Sequence, residues 1–319
     1  MASIESVTGP LDPEDLGTVL IHEHLRFRDN ATADEFPHLY DDDALYAAGV
    51  EAANKALRVG VKTIGEPTAM FGGRDVRFMQ AVAQETGLQV VPCTGIYTYD
   101  YLPLNWQTRS EDDLAEAFVH DIEQGIQGTD VKAAFLKCAA DEAGVTINVE
   151  KVHRACARAS VRTGKPIMAH SHPGSATGPR QVEILVGEGV DPEQIQIAHT
   201  GDTDDLDYIE DLLQTGVYIG LDRYGIEMYL PTERRNATVL ALLGRGHVEK
   251  MHLSMDSCGS IDWFSEQATT ALIEQGAVRD WDPALLHDQV VPQLKEGGMT
   301  DEQLDTMLVQ NTRRWLTPR

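Results

Sequence analysis

The chain has 319 residues, with 51 acidic against 26 basic and a formal net charge of −25. A surface of that sign repels nucleic acid and anionic membranes, so neither is an expected partner, and its plainest effect is solubility. The length suits one (β/α)8 barrel, for which about 250 residues is typical, and a single domain over residues 1–319 is the expectation.

Eight short apolar runs punctuate the chain. In order they are Thr18–His24, Val61–Glu66, Gln89–Gly95, Lys132–Lys137, Pro166–His170, Ile195–His199, Val217–Leu221 and Met251–Asp256. Gly60, Gly87, Gly128, Gly164, Gly189, Gly216 and Gly246 lie shortly before the last seven, where glycine suits the left-handed end of a preceding helix. Helical patterns fall between the runs, at Asp43–Arg58, Asp75–Glu85, Asp112–Gln127, Val149–Arg162 and Asp205–Leu213. Alternating strand and helix with short links predicts a parallel sheet. Eight such units, with no GxGxxG after the first run, predict a closed α/β (TIM) barrel rather than an open doubly wound sheet. The Ser257–Pro283 stretch breaks the rhythm, and Leu285–Lys295 with Asp301–Leu316 predicts a C-terminal helical extension.

The four cysteines, Cys93, Cys138, Cys156 and Cys258, have neither metal-finger nor disulfide-framework spacing, which points to reduced thiols and a cytoplasmic location. Met1–Gly17 lacks a signal-peptide pattern, and no apolar run approaches the roughly 20 residues a membrane span needs.

Chemistry concentrates at the ends of the runs. His22 and His24 close the first, Lys137 the fourth, His170 the fifth, His199 the sixth and Asp256 the eighth. Barrel enzymes build their sites at the C-terminal ends of their strands, and imidazole and carboxylate suit zinc and similar divalent ions. Side chains alternate along a strand, so His22 and His24 share one face while Glu23 takes the other, toward the helices. Each residue alone has a plain structural reading; six at matching ends of five strands point to a metal centre, and with it a hydrolase. Lys137 admits three roles. Beside cations it tends to the neutral amine, which adds carbon dioxide to give a carbamate able to bridge two metals. It could instead reach solvent at the rim, or form a Schiff base as in barrel aldolases.

The segments LIHEH, GIYTYD, FLKCA, MAHSHPG, IAHTGD, GLDRYG and LSMD run in this order over nearly the whole chain, and the set resembles the phosphotriesterase family of the amidohydrolase superfamily. Within it, Gly95–Asp100, Leu221–Gly225 and Ile261–Trp263 are similar to the phosphotriesterase-like lactonases. The resemblance implies that His22, His24 and Asp256 bind the more buried of two metals, and His170 and His199 the more exposed. Carboxylated Lys137 and a hydroxide would bridge them. Zinc leads the metals that fit, with iron, cobalt and manganese also suitable. It also implies a homodimer and lactone substrates, N-acyl-homoserine lactones first (quorum quenching), with organophosphate triesters as a slower side reaction.

On that reading Tyr97 donates to the carbonyl oxygen, Asp256 carries a proton to the leaving alkoxide, and Arg223 orients the substrate or pairs with an acid such as Asp222. Trp263, Phe264 and Ile261 line an acyl channel or pack a subunit interface. Cys258, just beyond Asp256, is a candidate substrate contact or only a small filler, and the following Gly259 departs from the paired cysteines of some lactonases. His172 falls in a loop outside the metal set, and Glu66 is either a support for the ligands or purely structural. A phosphotriesterase, another esterase or an amidase would use the same centre, and an aldolase or a non-catalytic binding barrel stays open.

Overall fold

The structure, a computed structural model, describes residues 3–278 and 281–317; residues 1–2, 279–280 and 318–319, at the ends and within the Ser257–Pro283 stretch, lie outside the described residues. The strands are β1 (Thr18–Leu20), β2 (Glu23–His24), β3 (Val61–Glu66), β4 (Gln89–Gly95), β5 (Phe135–Ala139), β6 (Ile167–His170), β7 (Ile195–Ala198), β8 (Tyr218–Leu221), β9 (Met251–Leu253) and β10 (Ser257–Cys258). One sheet runs β1-β3-β4-β5-β6-β7-β8-β9, and β2 pairs with β10. All these pairings are parallel. Because β2 continues β1 and β10 continues β9, the small pair joins the first and last strands and completes the barrel. The expected (β/α)8 fold is the one observed.

The predicted helices appear with shifted ends, as Asp42–Arg58, Val76–Thr86, Glu111–Glu123, Ile147–Thr163 and Leu206–Gln214. Their starts are fixed by side chains that accept a first-turn amide, such as Asp41, Ser110 and Thr146. The seven glycines before the later strands all have φ between 66° and 100°, the conformation expected of them. The fourth predicted run is displaced: Lys132–Ala134 is irregular, and β5 carries on past Lys137 to Ala139.

Buried strands alternate between two cores. Leu20, Ile64, Val90, Leu136, Ile167, Ile197 and Ile219 pack under the helices. Val19, Ile21, Val91, Phe135, Met168, Ala198 and Tyr218 fill the barrel interior. The C-terminal helical extension closes that interior from below. Trp315, 2% exposed, belongs to the same inner cluster, with its ring 5.6 Å from that of Phe135. Asn311 donates to the carbonyls of Val248 and Met251 at the foot of β9.

Two departures from plain alternation position the site. Val19 and Ile21 point inward, so an unbroken strand would send His22 outward. A bend at Ile21–His22 separates β1 from β2 and shifts the phase by one residue, which turns both histidines to the centre. Ala198 also points inward, and His199 follows it with φ of 63°, a left-handed turn that swings its ring back to the interior.

The bend rests on Gly65, where a Cβ would meet the Ile21 carbonyl oxygen at 2.3 Å. Gly65→Ala is expected to lower stability by about 1–3 kcal/mol, read as a reduced urea midpoint at unchanged slope. Gly187→Ala, in an open helical position with no atom within 4 Å, should raise it by roughly 0.5–1 kcal/mol.

Candidate metal centre and substrate cleft

Five of the six predicted ligands meet through direct contacts. Asp256 Oδ1 lies 3.2 Å from His22 Nε2 and 3.1 Å from His24 Nε2, and Lys137 Nζ lies 3.3 Å from His22 Nε2. His199 Nε2 is 3.9 Å from Asp256 Oδ2. His170 joins them through His199, their ring centroids 4.4 Å apart. Lys137 is fully buried, which corrects the option that its head reaches solvent at the rim.

Each imidazole has one nitrogen tied to an outer acceptor. His22 Nδ1 reaches Asp222 Oδ2 at 2.9 Å, and His199 Nδ1 reaches Asp222 Oδ1 at 3.1 Å. His24 Nδ1 reaches the Thr68 hydroxyl at 2.6 Å, which donates to Glu66 Oε1 at 2.7 Å. His170 Nε2 reaches Asp141 Oδ2 at 2.6 Å. Protons on those nitrogens leave His22 Nε2, His24 Nε2, His199 Nε2 and His170 Nδ1 as lone pairs facing inward. His199 Nε2 is buried without a hydrogen-bond partner among the described residues.

Electrostatics agree with this arrangement. Burial drives the His22 and His170 imidazoles down to about 4 and His199 well below its ordinary value, so all three are neutral. Burial also lowers Lys137 toward the free amine. For Asp256, burial opposes ionisation, but the Arg223 guanidinium bonded to Oδ2 favours the carboxylate, which is held well below its ordinary range. Neutral imidazoles and an ionised carboxylate are the states a metal requires. His22, His199 and Asp256 each offer an atom within 4.8 Å of the others, so ligand atoms from three strand ends converge on one point. The donor set therefore fits a divalent metal.

Asp222 and Asp141 were not foreseen as ligand supports. The alternation that places Tyr218 and Gly220 inward also places Asp222 there, and that of Lys137 and Ala139 leads to Asp141. Gly220 makes room for Asp222, since a Cβ would lie 2.4 Å from its carboxylate. The sequence-based pairing of Arg223 with Asp222 is corrected. Arg223 Nε donates to Asp256 Oδ2 and Nη1 to Asp202 Oδ2, both at 2.9 Å. Asp222 is fully engaged by the two histidines and the His199 amide. Glu66 is a support for His24 through Thr68. Glu23 does not face the helices; it binds the stretch 254–257 across the barrel seam. His172 caps the turn at Pro173–Ser175 and stays outside the centre.

A cavity of about 120 Å³ opens over Asp256 and His24. Its polar wall is Tyr97 and Arg223, and its apolar wall includes Ile226, Met228, Phe264 and Leu272. Cys258 lines it as a neutral thiol, pushed well above its ordinary range by burial. Gly259 lets this loop lie on the backbone of Leu25, whose carbonyl would be 2.5 Å from a Cβ. Trp263 stands edge-on to Phe27, ring centroids 4.9 Å apart. With Tyr97 it divides this cavity from a larger one of about 740 Å³.

Comparison with known proteins places this geometry in a family. The model of the Phosphotriesterase family matches residues 2–316. The chain belongs to the phosphotriesterase family. This phosphotriesterase-family hydrolase is 42% identical to an aryldialkylphosphatase of Saccharolobus solfataricus, over 96% of this chain and 97% of that one. It is 39% identical to a phosphotriesterase homology protein of Mycobacterium tuberculosis, over 98% and 97%. A solved structure of the phosphotriesterase from Mycobacterium tuberculosis superposes at a TM-score of 0.93, with 38% identity and 98% of each chain covered. Membership in a hydrolase family removes the aldolase reading of Lys137. No helix among the described residues is long and apolar enough to cross a membrane.

Asp222→Asn must turn an amide NH2 toward one of the two histidines. A metal-buffer titration should show affinity reduced by about 10–100-fold, with the metal-free protein still folded by circular dichroism though less stable by about 1–3 kcal/mol.

Proposed function

We propose that this phosphotriesterase-family hydrolase is a metal-dependent lactonase. Its preferred substrates are N-acyl-homoserine lactones and related lactones, a quorum-quenching activity, and it hydrolyses organophosphate triesters more slowly. The observation that carries this reading is the cavity over Asp256, polar at Tyr97 and Arg223 and apolar beyond them. A lactone ring with an acyl tail has that same division of polar head and apolar arm.

His22, His24 and Asp256 would hold one metal, and His170 and His199 a second. Lys137, fully buried and biased toward the neutral amine, would join them as a carbamate. That group forms when Nζ bonds the carbon of carbon dioxide and releases a proton. The bound metals would supply Lewis acidity and a water acidic enough to attack near neutral pH.

The chain's own side chains do the rest. Tyr97, its phenol held well above its ordinary value by burial, stays a neutral donor for the substrate's carbonyl oxygen. Asp256 takes the proton of the attacking water and delivers it to the leaving alkoxide oxygen. Arg223, bonded to Asp256 Oδ2, fixes that carboxylate and lowers its basicity at the oxygen it holds. Ile226, Met228 and Phe264 keep water from the acyl arm.

A second reading, phosphotriester hydrolysis as the main activity, draws on the similarity to an aryldialkylphosphatase and a phosphotriesterase homology protein. Comparing kcat/KM on acyl-homoserine lactones, simple γ- and δ-lactones and an aryl dialkyl phosphate separates the two, and a clear preference for the phosphate would reverse the ordering. Metal analysis run alongside should find about two ions per chain. Chelation, or Lys137→Ala, is expected to abolish lactone hydrolysis with the fold retained by circular dichroism. Full activity in a metal-free preparation would overturn the proposal.

A further inference from the structure

Glu23 sits between two proposed ligands, yet neither the metal reading nor the substrate reading employs it. It is 1% exposed. Its carboxylate takes four donors from a single stretch of chain. Oε1 accepts from the Ser254 hydroxyl and the Met255 amide, each at 2.8 Å. Oε2 accepts from the Ser257 amide at 2.9 Å and from the Ser257 hydroxyl. The two amides belong to the residues on either side of Asp256. The amide of Asp256 itself donates to the His22 carbonyl at 2.9 Å. Three consecutive amides are thus held by two consecutive residues, His22 and Glu23, at the start of β2.

Asp256 needs such a hold. Its φ is 50°, in the left-handed region that a residue with a Cβ enters only under constraint. Ordinary parallel pairing here spans two residue pairs, Ser257 with Glu23 and Cys258 with His24, and begins only after Asp256. We propose that Glu23 is a positioning residue that fixes Asp256 in its left-handed backbone conformation and so aims its carboxylate at the metal centre. Burial pushes the Glu23 carboxyl up to about 8 while the four donors pull it back, and as a carboxylate it only accepts, which matches the four groups that donate to it. Both His22 and His24 meet Asp256 Oδ1 across the same seam, so a loosened clasp would shift several centre contacts together.

This inference rests on the reading of Asp256 as a metal ligand. Glu23→Gln keeps the shape but turns an NH2 toward one of the clasped amides. In the purified full-length protein, metal affinity should fall about 10–100-fold. On the best ester, kcat should drop at least tenfold while KM moves by less than about threefold. A crystal structure of the variant should show residue 256 outside the left-handed region. Wild-type metal affinity and kcat in a variant with only a lowered melting temperature would mean that Glu23 merely staples the barrel, and the proposal would fail. If Glu23→Gln does not fold, Ser257→Ala removes one of the four donors and should show the same split at about two- to fivefold in affinity; wild-type values there would also overturn it. Metal affinity and backbone conformation need no substrate, so they decide the role of Glu23 even if no lactone is turned over.

Discussion

A parallel barrel of eight strands has to join its first strand to its last, and in this protein that junction is also the floor of the metal centre. The ladder there is short: β2 and β10 pair over two residues each. Side chains complete what the ladder leaves open. The Ser254 hydroxyl accepts the His22 amide at 2.9 Å and donates to Glu23, whose carboxylate takes the amides flanking Asp256. Backbone groups buried at the seam are therefore satisfied by residues of the same two strands that supply His22, His24 and Asp256. Closure of the fold and assembly of the site are one set of contacts.

The centre packs four imidazoles, an amine and two carboxylates into a space with little access to water. Such a cluster is stable only if its charges are few and paired. Burial keeps His22, His170 and His199 neutral, Asp222 accepts from His22, His199 and the His199 amide, and Asp256 is paired with Arg223. The Asp256–Arg223–Asp202 chain carries the remaining charge outward to the rim, with Arg235 2.7 Å from Asp202 beyond it. Asp222 shows the same economy in a different form. One carboxylate orients two histidines on different strands, and it fits only because position 220 lacks a Cβ.

Much of this could be read before any coordinates. The eight runs, the turn glycines and the ligand-bearing ends follow from hydrophobic pattern and spacing, which are local properties of the chain. What was not legible depends on phase. A strand's alternation predicts a face, but a bend at Ile21–His22 or a left-handed residue at His199 reverses it, and no local residue pattern announces either. Alternation alone sends Glu23 to the helices, because its real partners, in the stretch 254–257, come from the far end of the chain. Asp222 and Asp141 were missed for a different reason: each is unremarkable in sequence and acquires meaning only when a histidine from another strand arrives beside it. The pairing of Arg223 was likewise decided by its reach across the barrel to Asp202 and Asp256, not by its neighbour in sequence.

The phase shift at Ile21–His22 also bears on how such a site can be transplanted. His-Glu-His appended to a regular strand of the same inner phase would present the glutamate to the lumen and bury both imidazoles under the helices. A designer copying the triplet alone would thus obtain its inverse. The portable unit is larger and discontinuous: the bend, the glycine at 65 that admits it, and the serine-flanked stretch 254–257 that receives the glutamate. Counted that way, a three-letter motif is the visible part of a device spread over three strands.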